Sequence, residues 1–341
     1  MKHIKFPEIG QYRNMITSIK QRCRYAGKDE NGDPIYDPKV ILPTVKFYGT
    51  VKLHGSCGGV SFDWDTGELW ANSRKRVVTI GNDNHGFAGF VHKNSESFIT
   101  IIKKVRAQDR SDGSIVTLFG EWCGKGIQKG VAINQLEKMF VIFGVKYTKT
   151  VSENEDISWW STQWGNTRDT DNRIFNITDF QTWEIDIDIN SPEQSQNRLA
   201  DITLGVEKEC PVGRSFGVKG IGEGVVWSTY DGVNVERFKV KGEKHSGSKI
   251  KKLAKVDPEK VASVQEYVDY ACTENRMLQG LGEVFGEDEP DIKKMGEFIG
   301  WVASDIIKEE SDTLVINNLI WKDVASKVAT KARIWLIKNY M

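Results

Sequence analysis

The chain has 341 residues, which as a soft prior suggests two domains, and its 39% hydrophobic content is enough for a core. Eleven Trp and 15 Phe exclude the aromatic-poor composition of a disordered chain. Lys plus Arg and Asp plus Glu both total 47, so net charge is silent about a nucleic-acid partner, and any basic surface must be local. The five cysteines, Cys23, Cys57, Cys123, Cys210 and Cys272, form no C-x-x-C pair and no zinc spacing. They read as reduced structural thiols, which places the protein in the cytoplasm. Met1 to Lys5 lacks the apolar run of a signal peptide, and no stretch is long and apolar enough to span a membrane.

In chain order, residues 1–44 read as a hairpin-like lead-in around the turn-rich Gly27–Pro34. Residues 45–120 read as strand-rich, with two strands around the Asp65-Thr66-Gly67 turn. Phe98, Ile101, Ile102 and Val105 are spaced for one helix face within Ser97 to Ala107. Ile115 to Phe119 and Met139 to Val145 are short apolar runs, expected as buried strands. Residues 149–190 are polar, Trp-rich and without clear period until Asp186 to Ile189 alternates like a strand. Ser191-Pro192-Glu193-Gln194 predicts a helix with Ser191 as cap and Gln194 closing a capping box, ending near Glu209. Val225 to Trp227 and Val235 to Val240 predict two strands around Asp231-Gly232.

After Gly242 the composition changes. Glu243 to Lys255 is a Lys-rich linker containing Ser and Gly. Asp257-Pro258 then predicts a helix start, with Val261, Val264, Val268 and Cys272 on one face. Ile292, Met295, Ile299, Val302 and Ile306 predict a second helix, and Trp321, Val324, Val328 and Trp335 a third. The expected division is a domain over residues 1–242 and a helical domain over 243–341.

Several stretches carry residues suited to chemistry. Lys52 stands in Lys52-Leu53-His54-Gly55, between an apolar strand-like run and a tight Gly turn, where an amine can act as a nucleophile. Lys239 and Lys241 are two apart, so in a strand they share a face. They read either as a solvated edge pair or as a positive field that releases the Lys52 lone pair. Glu121 and Glu223 each lie beside Gly at the edge of an apolar run, and Phe143 lies within another. Arg74 follows Ser73 in a basic segment where Arg76 is the alternative register. Gly124-Lys125-Gly126-Ile127-Gln128-Lys129-Gly130 follows Glu121. Gly120 to Lys125 breaks P-loop spacing, and Gly220 and Gly222 lack the third Gly of a dinucleotide fingerprint.

The order Lys-x-His-Gly, Phe-Gly-Glu, Val-Ile-Phe-Gly, Glu-Gly-Val-Val and Lys-x-Lys resembles the covalent nucleotidyltransferases, which include DNA ligases, RNA ligases and capping enzymes. The Gly-Ile-Gln-Lys element and the helical period after Lys241 are most similar to the RNA ligase 2 branch, whose relatives with an OB-fold follow a different plan. This resemblance implies an α+β fold: an antiparallel-sheet, ATP-grasp-like nucleotidyltransferase domain followed by a small all-helical RNA-binding domain. It implies an ATP-dependent RNA ligase that joins 3′-hydroxyl and 5′-phosphate ends, at nicks in duplex RNA, in RNA repair. Lys52 would carry AMP, with ATP and Mg²⁺ as cofactors and RNA as partner to a monomer. Catalysis would rest on Lys52, Glu223, Lys239 and Lys241. Glu223 would orient the metal, Glu121 would accept from a ribose hydroxyl, Phe143 would stack on the purine and Arg74 would contact the ribose or the nucleic-acid end. His54 would support the turn, and Gln128 and Lys129 would approach the RNA. Gly144 departs from the family's acidic residue after the aromatic. The other readings are a guanylyltransferase, distinguished by GTP labelling, and a non-catalytic RNA-binding module.

Overall fold

The structure, a computed structural model, describes residues 1–152, 155–162, 164–229, 235–245, 264–286, 288–316 and 319–340. The chain divides into two compact units, Met1–Val240 and Lys241–Met341.

In the first unit β1 (Gly10–Gln11) leads into α1 (Tyr12–Arg24). A ribbon of β2 (Tyr25–Lys28) and β3 (Pro34–Tyr36) precedes β4 (Thr44–Lys52). Then come β5 (Ser56–Asp63), β6 (Leu69–Ser73), β7 (Val77–Val78), α2 (Phe87–Lys93) and α3 (Ser95–Asp109). β8 (Ile115–Cys123), β9 (Met139–Ser152), β10 (Glu155–Trp160), β11 (Ile174–Asn176) and β12 (Thr182–Asp188) follow. Next are α4 (Gln196–Lys208), α5 (Pro211–Ser215), β13 (Gly224–Ser228) and β14 (Arg237–Lys241).

Among the described residues these strands build two larger sheets. One has the order β1-β14-β13-β4-β12, the other β10-β9-β8-β5-β6-β7 with β11 added beside β9. Most neighbours are antiparallel; β1 beside β14 and β11 beside β9 are parallel. The fold is therefore α+β, with largely antiparallel sheets and C-terminal helices.

β4 shows why the sequence makes a sheet. Phe47, Gly49 and Val51 are buried while Lys46 and Tyr48 are exposed, a period of two. Gly49 is needed for packing, since a Cβ there would sit 2.8 Å from the Trp227 ring. Phe47, Trp227 and Phe238 are fully buried on that side, and Trp227 lies nearly parallel to Phe238 at 6.3 Å. α3 presents Phe98, Ile101, Ile102 and Val105 to the core, as the spacing predicts.

Three expectations change here. The lead-in holds a helix, α1, as well as the ribbon; Met15, Ile16 and Ile19 form its buried face, too short an apolar signal to stand out. Ser191 makes no side-chain cap, and residues Pro192–Ser195 form a 3₁₀ turn before α4 begins at Gln196. The Tyr12 hydroxyl donates to the Pro192 carbonyl at 2.6 Å, tying this turn to α1. The Trp-rich stretch supplies β10, which pairs with an extended β9. The Asp231-Gly232 turn lies outside the described residues.

The second unit contains α6 (Val264–Ala271), α7 (Glu274–Phe285), α8 (Met295–Ile316) and α9 (Trp321–Tyr340). Val268, Val302, Ile306, Val324 and Val328 are buried together in its core. The helix α7 was not expected, because Gly280 and Gly282 interrupt its pattern. Gly280 has a packing reason: a Cβ there would meet the Trp301 ring at 2.8 Å. Ile292 is 67% exposed and precedes α8, so it is not part of the apolar face. Asp257-Pro258, Val261 and the lysines 249, 251, 252 and 255 lie outside the described residues.

A buried ion network ties these helices. Arg276 on α7 is fully buried; its Nε donates to Asp305 at 2.8 Å, its Nη2 to Glu310 at 3.4 Å and its Nη1 to the Ala271 carbonyl. Tyr270 adds a hydrogen bond to Glu310 at 2.9 Å. Burial opposes the Arg276 charge, but Asp305 and Glu310 outweigh it. Arg276→Ala leaves the fully buried Glu310 without its counter-ion and should destabilise this unit by about 3–5 kcal/mol. Chemical denaturation followed by helix content checks this; a loss under about 1 kcal/mol, the worth of a surface pair, would contradict it.

Candidate active site

The site begins where the chain leaves one sheet for the other. β4 ends at Lys52 and β5 begins at Ser56, so Leu53, His54 and Gly55 make the whole crossing. Leu53 is buried and anchors the crossing. Gly55 has no room for a side chain: a Cβ would stand 2.5 Å from the Trp122 carbonyl oxygen and 2.8 Å from the Cys123 Cβ. Its amide donates to Glu121 Oε1 at 3.0 Å. The Gly turn thus locks the end of β4 onto β8.

Lys52 faces away from the buried Val51. Its cross-strand partner is Gly224, which brings the preceding Glu223 alongside. Lys52 Nζ donates to Glu223 Oε2 at 2.7 Å, and His54 Nδ1 lies 3.4 Å from the same oxygen. Glu223 is only 3% exposed, whereas Lys52 keeps 22%. Glu121, on β8 opposite Cys57 of β5, completes the group.

The electrostatics follow from this crowding. Burial lifts the Glu121 carboxyl; Lys52 pulls it down, Glu223 pushes it up and the Gly55 amide pulls it down, leaving it at about 7. Burial, then Glu121, raises the Cys57 thiol to about 12, so it is an inert neighbour. For Lys52, burial disfavours the charge, but Glu223 and Glu121 together exceed burial, and its affinity for a proton rises above the ordinary lysine range. In the chain alone, the carboxylates govern it.

Arg74 is 54% exposed, pairs with Glu8 at 3.2 Å, and its charge reaches Lys52, Glu121 and Cys57. Arg76 instead donates to the carbonyls of Asn82 at 2.8 Å, Val77 at 3.3 Å and Asp83 at 3.4 Å, pinning a loop. Of the two registers, Arg74 is the one beside Lys52.

Phe143 sits at a β-bulge. Phe119 pairs with Gly144 and Gly120 with Ile142, so Phe143 is the extra residue. A bulge re-aims a side chain. Phe143 is half-buried and meets the Phe6 ring edge-on at 5.0 Å. Gly144 also acquires a reason: a Cβ there would lie 3.3 Å from the Trp160 ring, so Trp160 occupies the space of a side chain at 144.

Lys239 and Lys241 are on β14, separated from β4 by β13. Two strand spacings put the backbones about 10 Å apart. Phe238 packs with Phe47 and Trp227 on the Val51 side, so Arg237, Lys239 and Lys241 present the same sheet face as Lys52. The close group is therefore Lys52, Glu223, Glu121 and His54, with Arg74 at its margin. Phe143 lies on β9, the neighbour of the β8 strand that carries Glu121, and the two lysines lie on β14. Gln128 and Lys129 lie in a loop with left-handed Gly124, Gly126 and Gly130, held where the Lys125 amide donates to the Leu136 carbonyl at 2.8 Å.

Sequence reading missed Phe6, Glu8, Trp160 and Arg237. The Arg237 guanidinium stacks 4.0 Å over the Trp160 ring and 5.4 Å from the Phe6 ring. No motif marks these four; only the Trp159-Trp160 pair was visible as unusual composition.

No group of three His, Cys, Asp or Glu side chains suited to a metal is present among the described residues. No helix among the described residues is long and apolar enough to cross a membrane.

Comparison with known proteins names the family. A sequence model of the RNA ligase family matches residues 45–241. The chain belongs to the RNA ligase family. No curated protein matches it. Among solved structures, it is similar to a Naegleria gruberi RNA ligase with pyrophosphate, at 17% identity and TM-score 0.40, over 70% of this chain and 56% of that one. A mutant of that ligase with AMP and manganese matches at 16% identity and TM-score 0.41, over 71% of this chain and 56% of that one. This chain thus spans little more than half the length of those structures.

Glu121 makes the site pH-sensitive in a definite direction. Its folded pKa of about 7 lies above the ordinary 4.5, so between those values the folded chain holds a proton that the unfolded chain has released. The associated stability is full below the ordinary value and is lost as pH rises through the folded one. Denaturation curves should therefore show wild type losing more stability than Glu121→Gln from acid to neutral pH, by at most about 1.4 kcal/mol per pH unit. Parallel curves for the two proteins would remove Glu121 from the buried cluster.

Proposed function

We propose that this protein is an ATP-dependent RNA ligase that works through a covalent Lys52–AMP intermediate, in an ATP-grasp-like nucleotidyltransferase fold. The observation that carries this reading is the pairing of Lys52 with a buried Glu223, 2.7 Å apart, inside the family-matched region, with Glu121 beside them.

Lys52 must first give up a proton, which Glu223 and Glu121 now help it to keep. A divalent cation, Mg²⁺ in this reading, held through Glu223, would draw negative charge off that carboxylate and off the α-phosphate. The free Lys52 amine then attacks the α-phosphorus of ATP. A nitrogen–phosphorus bond forms, the bond from that phosphorus to the bridging oxygen breaks, and pyrophosphate leaves with the electron pair. Lys239 and Lys241 share the face of Lys52 and would balance charge on the phosphates, the main source of catalysis in such transfers. Glu121 would orient the ribose through its carboxylate, Phe143 would stack on the purine, and Arg74 would contact the ribose or the RNA end. AMP then passes from Lys52 to an RNA 5′-phosphate, and a 3′-hydroxyl displaces it, closing the strand. The proposed substrate is a nick in duplex RNA, as in RNA repair, and the proposed state is a cytoplasmic monomer.

Incubation with labelled ATP should give a covalent adduct in wild type and none in Lys52→Ala. Glu223→Ala should also lose the adduct, and excess ATP should not restore it. Label persisting in Lys52→Ala refutes the nucleophile. Label appearing from GTP rather than ATP selects a guanylyltransferase. Lys52→Ala removes the close counter-charge of the buried Glu223, so its fold should be verified by circular dichroism in the same preparation.

We also propose a division of labour between residues 1–242 as the adenylyltransferase and 243–341 as the RNA-gripping domain. The first unit contains every site residue named above except Lys241, which ends β14. α9 carries five Lys and Arg against one Asp, suited to a phosphate backbone. A chain ending after His245 should keep Lys52 adenylylation and seal RNA poorly. Joint loss or joint retention of both activities in one soluble preparation overturns the division.

A further inference from the structure

Residues 1–11 lie outside the family-matched region, yet they run along the site. The Trp70 indole donates to the Lys2 carbonyl at 2.9 Å, the His3 ring meets the Ser73 carbonyl at 3.0 Å and the Ile4 amide donates to Asn72 at 3.4 Å. These contacts fix the segment across β6. Ile4 is buried with Trp70, Ile115 and Phe119 in a small separate cluster. Phe119 is two residues from Glu121 on the same strand, so this cluster covers the sheet face that carries Glu121.

Three successive contacts then reach proposed site residues. Phe6 packs edge-on against Phe143 at 5.0 Å, against Phe119 at 5.1 Å and against Trp160 at 5.6 Å. Glu8 pairs with Arg74 at 3.2 Å. Gly10 and Gln11 pair in parallel with Phe238 and Lys239. One strap of chain therefore touches the bulged aromatic, the marginal arginine and the lysine strand, which belong to two different sheets. Arg237, stacked on Trp160 and near Phe6, closes the same end from the β14 side.

We propose that the N-terminal strap is part of the nucleotide site, with Phe6 as the positioning residue that holds Phe143 for the base. The proposal rests on the nucleotide reading above. Phe143 has been pushed out of register by a bulge, and Gly144 beside it offers no side chain, so Phe143's orientation depends on what packs against it. Phe6 meets that ring edge-on at 5.0 Å and is itself backed by Trp160 at 5.6 Å. Glu8 keeps Arg74 in place until a phosphate or ribose competes for its donors; with both partners half-exposed, the pair is weak enough to exchange.

The test measures ATP KM and kcat for Lys52 adenylylation, together with competition by AMP and by inorganic tripolyphosphate, which lacks a base. Phe6→Ala should raise the ATP KM about tenfold, the scale of an aromatic pair with its burial, and weaken AMP similarly. kcat should change less than about threefold, and tripolyphosphate competition should be unchanged. Phe6→Tyr should restore the wild-type KM. An unchanged KM in folded Phe6→Ala, or equal weakening of AMP and tripolyphosphate, overturns the proposal, the second outcome marking general damage. If Phe6→Ala does not fold, Phe6→Leu carries the same comparison, with a KM rise of about threefold expected and an unchanged KM overturning it. Absence of any label in wild type would instead sink the nucleotide reading itself, so the two failures are distinct.

Discussion

The Lys52–Glu223 pair is the constraint on which the site depends. Glu223 is 3% exposed, and a carboxylate that deep is stable as an ion only with a close counter-charge. Lys52 provides it at 2.7 Å, held by the last register position of β4 against β13. A second carboxylate nearby makes the arrangement asymmetric. Burial lifts the Glu121 carboxyl to about 7, and the neighbouring Glu223 adds to the rise that Lys52 opposes. The resting cluster therefore pairs one carboxylate closely with lysine and raises the proton affinity of the other. In the proposed reaction, Glu223 would hold a divalent cation, and its hold on the Lys52 proton would then weaken.

This balance needs tight geometry, and the chain supplies it by making the crossing between sheets only three residues long. Gly55 permits the approach to the Trp122 carbonyl, and its amide anchors Glu121. The nucleophile candidate and the acidic candidates are thereby set by backbone register rather than by long flexible side chains. Such pre-organisation suits a site whose work is mainly the placement of charge. The bulge at Phe143 is a second such device, since it turns one side chain without disturbing the pairing on either side.

Legibility in the sequence followed the range of the interactions. β5 and β6 around the Asp65-Thr66-Gly67 turn, the apolar face of α3 and the alternation after Lys241 are local patterns, and the structure contains them. α1 and α7 were illegible because their apolar faces are short or interrupted by Gly, and tertiary packing completes them. The expected cap at Ser191 is not formed: residues Pro192–Ser195 make a 3₁₀ turn and α4 begins only at Gln196. Lys52, Glu223 and Glu121 could be nominated from spacing and resemblance, but their charge state could not. It depends on which charges meet in space, and the carboxylates outweigh burial only once the two sheets are joined.

Gly144 shows how a departure from a family pattern can be accommodated by a distant residue. In the sequence it is an absence, a missing carboxylate beside an aromatic. In the structure the space is filled by Trp160, brought from β10, whose ring in turn carries Arg237 from the other sheet. A Cβ at 144 would press on the Trp160 ring at 3.3 Å, so a side chain there requires the ring to give by a few tenths of an ångström. An arginine and three aromatic rings meet at that end of the sheet. In the proposed reading, the base stacks on Phe143, whose ring is braced edge-on by Phe6, with one guanidinium in the same cluster.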